Sequence, residues 1–350
     1  MKVTSKVAIK QVTAGKAEEH YKDKILSNPQ LEEHIIVIGT QQFNHSLLGA
    51  IKRGFDAGPN GKFMFIHQAI RRIRLNPELN WTVVIYKEGY TANQIGAMSV
   101  ALANIVNGIR VVQAARREHV INYINTQDGN NEADTSDVRK IVKVKRLLFY
   151  CHGLVNRLAI GITNLNTTDD MLDITHNAVQ QLNRDAFFPD ARIYCFSCRT
   201  GLGNPQIDTS VYKTDFWGKE TTERHNLYSA QSLAQKFSDI TKVITYAYLC
   251  RSDYEDTLFT PDELDFIEYY RAGQFGVKRS RKNDGYNYLL KKEGATEQDH
   301  KRYKMLEDVS NARTIVDGAV FDPAGARYNV KGGESPKGLP REMQTFSPLQ

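Results

Sequence analysis

No stretch of this chain approaches the roughly 18 consecutive apolar residues that a membrane-spanning helix needs, so a membrane span is not expected. The opening Met1-Lys2-Val3-Thr4-Ser5-Lys6 has charge but no apolar core behind it, so a secretory leader is not expected either. Cysteine is scarce, with four in 350 residues. That excludes a disulfide framework and favours a reducing, cytoplasmic setting, although delivery by a route that needs no leader stays open. Charge of one sign does not dominate. The net charge of +6 comes from scattered Lys and Arg, which can help an acidic partner but does not imply nucleic acid. No internal repeat is present. Gly201-Leu202-Gly203-Asn204 lacks the Lys-Ser/Thr of a phosphate loop, so nucleotide binding there is weakly signalled. What is there is ordinary for a globular protein: 41% apolar and 25% charged residues, in a chain long enough for a large core.

Residues 1–30 are polar and Lys-rich and read as a loose arm or peripheral helix. Ile35-Ile36-Val37-Ile38-Gly39 reads as a buried strand. Phe63 to Leu75 has apolar residues at helical spacing and ends at Asn76-Pro77. From Trp81 the alternation becomes regular. Residues 81–86 form a strand, and Thr91 with Gln94 is a capping box for a helix with Ile95, Met98, Leu102 and Ile105 on one face. Gly108 suits the position after that helix, 109–113 are a strand and 118–124 a helix. Residues 127–137 are an acidic loop, a candidate protease-sensitive site. Thr168 caps a predicted helix with Asp169 and Asp170 in its first turn and Met171, Leu172, Ala178, Val179 and Leu182 toward the sheet. Leu227 to Phe237 reads as a helix and Val243 to Leu249 as a strand. Strand and helix therefore alternate through 81–249, which predicts an α/β three-layer sandwich with a mainly parallel sheet and helices on both faces. Residues 315–321 suggest a last strand, and the tail from Lys331 reads as irregular. The expected division is an N-terminal arm and extra strand-helix portion over 1–80, a core over 81–250 and a partly irregular extension over 251–350.

The chemistry gathers at two apolar runs. One ends in Phe149-Tyr150-Cys151-His152-Gly153, the other in Phe196-Ser197-Cys198-Arg199-Thr200-Gly201, and His152 and Cys198 are 46 positions apart. If both runs are parallel strands, an imidazole and a thiol meet at one sheet edge as base and nucleophile. Gly153 allows close backbone approach, so the Gly153 and Cys198 N–H groups are candidates for an oxyanion hole. Plainer readings stand beside this. A strand-end Cys is often a small buried hydrophobe, and Cys151 and Cys195 read as core residues. Cys195-x-x-Cys198 is a conceivable redox pair, but it does not open a helix. A zinc site drawn from Cys151, His152, Cys195, Cys198 and Cys250 is disfavoured because neighbouring strand residues point to opposite faces. The basic cluster 278–282 reads as a solvated face or a processing site.

A strand ending in His-Gly, a helix, then a strand ending in Ser-Cys-Arg-Thr-Gly resembles the caspase-like cysteine peptidases, whose His lies about 50 residues before the Cys. The Cys-Arg-Thr-Gly resembles their CHAT-domain branch in particular. The resemblance covers about residues 81–250. It implies a caspase-like fold and a cysteine endopeptidase acting on a protein or peptide substrate, with Cys198 as nucleophile, His152 as general base and no cofactor. Relatives that cut after basic residues place an Asp two residues before the nucleophile, where this chain has Phe196. Asp253 and Glu255 are the alternative candidates for a basic side-chain pocket. The long segment 199–226 is expected to border a substrate cleft, and the terminal extensions are candidate surfaces for a regulatory protein. The alternatives are a catalytically silent binding module of the same fold, a delivered toxin or defence-system peptidase, and a small-molecule hydrolase or transferase using the same dyad.

Overall fold

In the computed structural model the described residues are 31–40, 61–127, 136–161, 171–204, 213–214, 220–221, 227–254, 257–274, 296–311, 321–334 and 338–349. In chain order the elements begin with β1 (Glu32–Ile38), α1 (Met64–Leu75), β2 (Trp81–Tyr86), α2 (Ala92–Ile105) and β3 (Arg110–Ala114). There follow α3 (Arg117–Thr126), α4 (Ser136–Ile141), β4 (Lys143–Tyr150), β5 (His152–Leu154), β6 (Arg157–Ala159), β7 (Asp173–Thr175) and the single turn α5 (His176–Val179). The remainder are β8 (Phe187–Cys195), β9 (Lys213–Thr214), β10 (Glu220–Thr221), α6 (Leu233–Thr241), β11 (Ile244–Ala247), β12 (Ser252–Asp253), α7 (Pro261–Gln274), α8 (Glu297–Asn311), β13 (Lys331–Gly332) and β14 (Gln344–Phe346).

A seven-stranded sheet in the order β14-β11-β8-β4-β1-β2-β3 carries the molecule. All neighbours pair in parallel except β14, which closes one edge antiparallel to β11. The sheet draws strands from all three stretches distinguished in the sequence, and β1 sits in its middle. Continuous β-branched runs such as Ile35 to Ile38 and Trp81 to Tyr86 suit central strands covered on both faces, and every residue of both is buried. On one face α1 and α2 pack through Phe65, Ile66, Ile70, Met98 and Leu102. On the other α3, α5 and α6 pack through Val120, Ile124, Val179, Leu233 and Phe237. The protein is thus an α/β sandwich of sheet and helices. No helix among the described residues is long and apolar enough to cross a membrane.

Local chemistry fixes several element ends. Gln94 N donates to Thr91 Oγ1 at 3.2 Å and Thr91 N to Gln94 Oε1 at 3.0 Å, so the expected capping box opens α2. Ser232 caps α6 with its side chain alone, its Oγ accepting from Gln235 N at 3.2 Å. Gly108 has the left-handed φ of 77°, but the cap residue of α2 is Val106, two positions earlier.

The middle strand also begins with charge. Glu33 is fully buried and accepts from Arg139 Nη1 at 2.5 Å, Thr82 Oγ1 at 2.5 Å and Tyr123 OH at 2.6 Å. Burial by itself raises its pKa, but the Arg139 charge and these donors outweigh burial and hold the carboxyl below its ordinary value. This network ties β1, β2, α3 and α4 together at the end of the sheet opposite the strands' carboxyl ends.

The tail is more ordered than its Gly and Pro content suggests. Segment 321–334 lies along α1, where Ala326 N donates to His67 O and Gln68 Nε2 to Tyr328 O. β13 then pairs with β12, and β14 joins the sheet. The reason is main-chain demand: the outer edge of β11 carries unpaired N–H and C=O groups, which any short extended segment can satisfy. The helix predicted after Thr168 is largely replaced. From residue 171 the chain forms β7 and one turn of helix, with Leu172, Ala178, Val179 and Leu182 buried and Met171 half exposed at 51%. Thr168, Asp169, Asp170, Glu255, the cluster 278–282 and the strand proposed at 315–321, apart from its last residue, lie outside the described residues.

Candidate functional site at the carboxyl ends of β4 and β8

The strand order reverses between β1 and β4. β1, β2 and β3 run outward one way, and β4, β8 and β11 the other. A crevice outside the carboxyl ends of the strands at such a reversal is where open α/β sheets bind ligands. His152 lies two residues beyond the end of β4, and Cys198 three residues beyond the end of β8.

Both residues leave the strands that were expected to hold them. The apolar ladder of β4 ends at Tyr150, and His152 belongs to a separate antiparallel ribbon, β5-β6-β7. β8 ends at Cys195, with one further bond from Phe196 N to Phe149 O, and Cys198 sits in a turn. The turn is shaped by Arg199, whose φ of 53° is left-handed, a conformation that costs a non-glycine residue about 1 kcal/mol or more. Arg199 N donates to Cys250 O at 2.9 Å and Gly201 N to Tyr248 O at 3.0 Å, so the chain after β11 holds it in place.

Gly153 lies against this turn. A Cβ at 153 would stand 2.2 Å from Cys198 O and 2.7 Å from Cys198 N, both backbone atoms. Only glycine allows that approach. The two residues between β5 and β6 include Asn156 with φ 64°, which places Leu154 opposite Arg157 and Gly153 opposite Leu158. A two-residue connection closes on a hydrogen-bonded pair, so Gly153–Leu158 is the next, non-hydrogen-bonded pair and the Gly153 N–H is not spent on β6.

Cys198 is the one partly exposed cysteine. Cys151, Cys195 and Cys250 are buried and reduced. Burial pushes the Cys151 thiol up to about 12 and raises Cys195 well above its ordinary value, which suits inert core residues. The Cys198 sulfur receives the Ser252 N–H at 3.2 Å and lies 3.2 Å from Ser252 Oγ. The thiol in turn faces Ser252 O at 3.9 Å. The Arg199 guanidinium, itself nearly buried, is within electrostatic reach of the same sulfur.

His152 is half-buried, with its ring edge-to-face on Phe65 at 5.0 Å between centroids. Its Nε2 is shut off from solvent and has no hydrogen-bond partner. Burial lowers its pKa to about 4, so the ring is a neutral imidazole near pH 7. Cys198 and His152 flank the same Gly153–Cys198 backbone contact, but no hydrogen bond joins the imidazole to the sulfur.

Asp253 follows the Ser252 that touches the thiol and stands opposite Lys331 in the β12–β13 ribbon, a cross-strand pair of opposite charge. Among the described residues, no group of three His, Cys, Asp or Glu side chains is arranged to hold a metal ion. Ser252 was not foreseen. Its only signal in the sequence is its place just after the strand that neighbours the nucleophile strand. No family model matches this chain, and no curated protein matches it either.

Proposed function

We propose that this protein is a caspase-like cysteine peptidase with Cys198 as nucleophile and His152 as base. The observation that carries the reading is the meeting of Cys198 with the His152-Gly153 backbone at the carboxyl ends of adjacent parallel strands, with the Ser252 N–H on the sulfur. In the proposed reaction neutral His152 takes the Cys198 proton and the thiolate attacks the scissile carbonyl. The oxyanion is met by the Cys198 and Gly153 N–H groups. The tetrahedral adduct collapses as the imidazolium gives its proton to the leaving amine. Water, deprotonated by His152, then splits the thioester and returns the thiol.

A second reading, a binding module of the same fold without catalysis, draws on the unpartnered His152 Nε2, which does not reach the sulfur. Catalytic hydrogen bonds are often long before substrate binds, so the test must be chemical. The native protein is treated near neutral pH with limiting iodoacetamide, and adducts on all four cysteines are mapped by mass spectrometry, with and without His152→Ala. The peptidase reading expects Cys198 to label at least about tenfold faster than Cys151, Cys195 and Cys250 and to lose most of that lead without the imidazole. A Cys198 indifferent to His152 favours the binding module.

A further inference from the structure

The sheet is unevenly covered. On the α1/α2 face α1 packs over β1 and β4, and β8 and β11 lie farther along the same face. What borders that part of the face is the C-terminal chain, through residues 328–332 and 341–343, and between this chain and α1 a cleft of about 580 Å³ remains. That volume is in the range of small-molecule sites.

The cleft has two chemistries. Its floor is aromatic. Tyr194 and Phe196 come from the β8 segment and Tyr248 follows β11; all three are at most 4% exposed, with Tyr194 stacked on Tyr246 at 4.9 Å and Phe196 on Tyr150 at 4.7 Å, so they form a closed apolar base. The Tyr248 hydroxyl donates to Val330 O at 3.0 Å and ties the C-terminal chain to this base. At the rim Tyr328 is 40% exposed. Its walls are cationic. Arg71, Arg72, Lys331 and Arg341 line it, against one carboxylate, Glu342.

Neutral oxygens hold part of each guanidinium. Arg71 Nη1 donates to Asn329 Oδ1 at 2.7 Å, Arg72 Nη2 reaches the same oxygen at 3.4 Å, and Arg341 Nε donates to Gly332 O at 3.0 Å. Arg341 Nη1 also lies 3.6 Å from Glu334, with both side chains largely exposed, a weak pair. A guanidinium carries five N–H donors, so a phosphate oxygen can be met beside these contacts.

We propose that this cleft binds a small phosphorylated ligand bearing a planar ring, of mononucleotide size, with its phosphate on Arg71 and Arg341 and its ring against the exposed Tyr328. The inference is independent of the peptidase reading, because no part of it uses Cys198 or His152. The two sites are nevertheless neighbours, since Gly332 lines the cleft and pairs with Ser252.

The test is calorimetric titration of the full chain with adenosine 5′-monophosphate, and separately with adenosine, inorganic pyrophosphate, citrate and an oligo-glutamate peptide. Arg341→Ala, an exposed position, and Arg71→Ala are measured in parallel, and thermal unfolding confirms that each is folded. The expected result is saturable binding of the monophosphate that exceeds binding of adenosine or pyrophosphate alone and weakens at least about tenfold in each variant, as loss of one charge-assisted contact requires. No saturable heat at millimolar monophosphate overturns the proposal. So does binding unchanged in both folded variants, and so does an acidic peptide or citrate that binds as well as the nucleotide.

Discussion

Single residues decide most of the chemistry. At Gly153 the constraint is space alone, because the atoms that a Cβ would meet are the Cys198 backbone and cannot swing aside. Gly153→Ala is expected to push the nucleophile turn away from the β5–β6 ribbon. The cost is roughly 1–3 kcal/mol of stability, typical of overpacking, together with the larger part of any excess Cys198 reactivity. Thermal unfolding and timed alkylation of the same sample check both, and a variant that labels like the parent refutes the tight contact. His67 is a different case. It is buried, Asp322 N donates to its Nε2, and burial, reinforced by Arg302 and opposed by Asp322, lowers its pKa to about 4. An unfolded imidazole titrates near 6.5, so below that value the unfolded chain binds the extra proton. This contribution is complete above pH 6.5 and is lost as pH falls toward 4, on the order of 3 kcal/mol in all. His67→Gln keeps an acceptor for Asp322 N and cannot titrate in this range. Urea unfolding at pH 7 and pH 5 should show a smaller pH-dependent loss for the variant than for the parent, and equal losses would show that His67 is not a source of the dependence.

At the scale of elements, β14 carries a burden out of proportion to its three residues. It covers the open edge of β11, buries Phe346 and is tied to α6 by Ser238 Oγ, which donates to Phe346 O at 3.0 Å, and by Gln235 Nε2, which donates to Ser347 O at 2.7 Å. A chain ending at Met343 should therefore melt well below the full chain and scatter light on standing, since the bared edge can pair with another copy. Phe346→Ala alone should cost about 3–5 kcal/mol. If the truncated chain melts with the parent and stays monodisperse, the edge is not held this way. β14 also shows why an element escapes notice in a sequence. Gln344-Thr345-Phe346 has one large apolar side chain, so no period is visible, and what makes it a strand is the β11 main chain about a hundred residues earlier. The β5–β6 ribbon hides for a related reason. Its turn is Val155-Asn156, without the glycine that usually marks a hairpin, and Asn156 adopts the left-handed conformation itself. By contrast β1, β2, β4 and β8 could be read from continuous apolar runs, and α2 from its capping box.

For the whole molecule, the parallel α/β sandwich was legible in the alternation of strand and helix, and so was the adjacency of the His-Gly and Cys segments. The exact seats of His152 and Cys198 were not, because an apolar run continues past the last ladder bond and nothing in it marks where pairing stops. Nor was the buried start of β1, where Glu33 is acceptable only because Arg139, Thr82 and Tyr123 arrive from three other elements. The cleft over β8 and β11 was invisible for the same kind of reason, since its cations come from α1 and from a tail some 250 residues away.

The position of β1 at the centre of the sheet sets a schedule for assembly. Ile35 pairs with Thr82 on one side and with Leu147 on the other, the second partner more than a hundred residues downstream. Closing so long a loop costs entropy before any contact repays it, and folds dominated by such pairings form slowly. As the chain is synthesised, the buried strand β1 has one flank covered by β2 and the other open until β4 follows. During that interval β1 is the segment most in need of protection from the wrong neighbour.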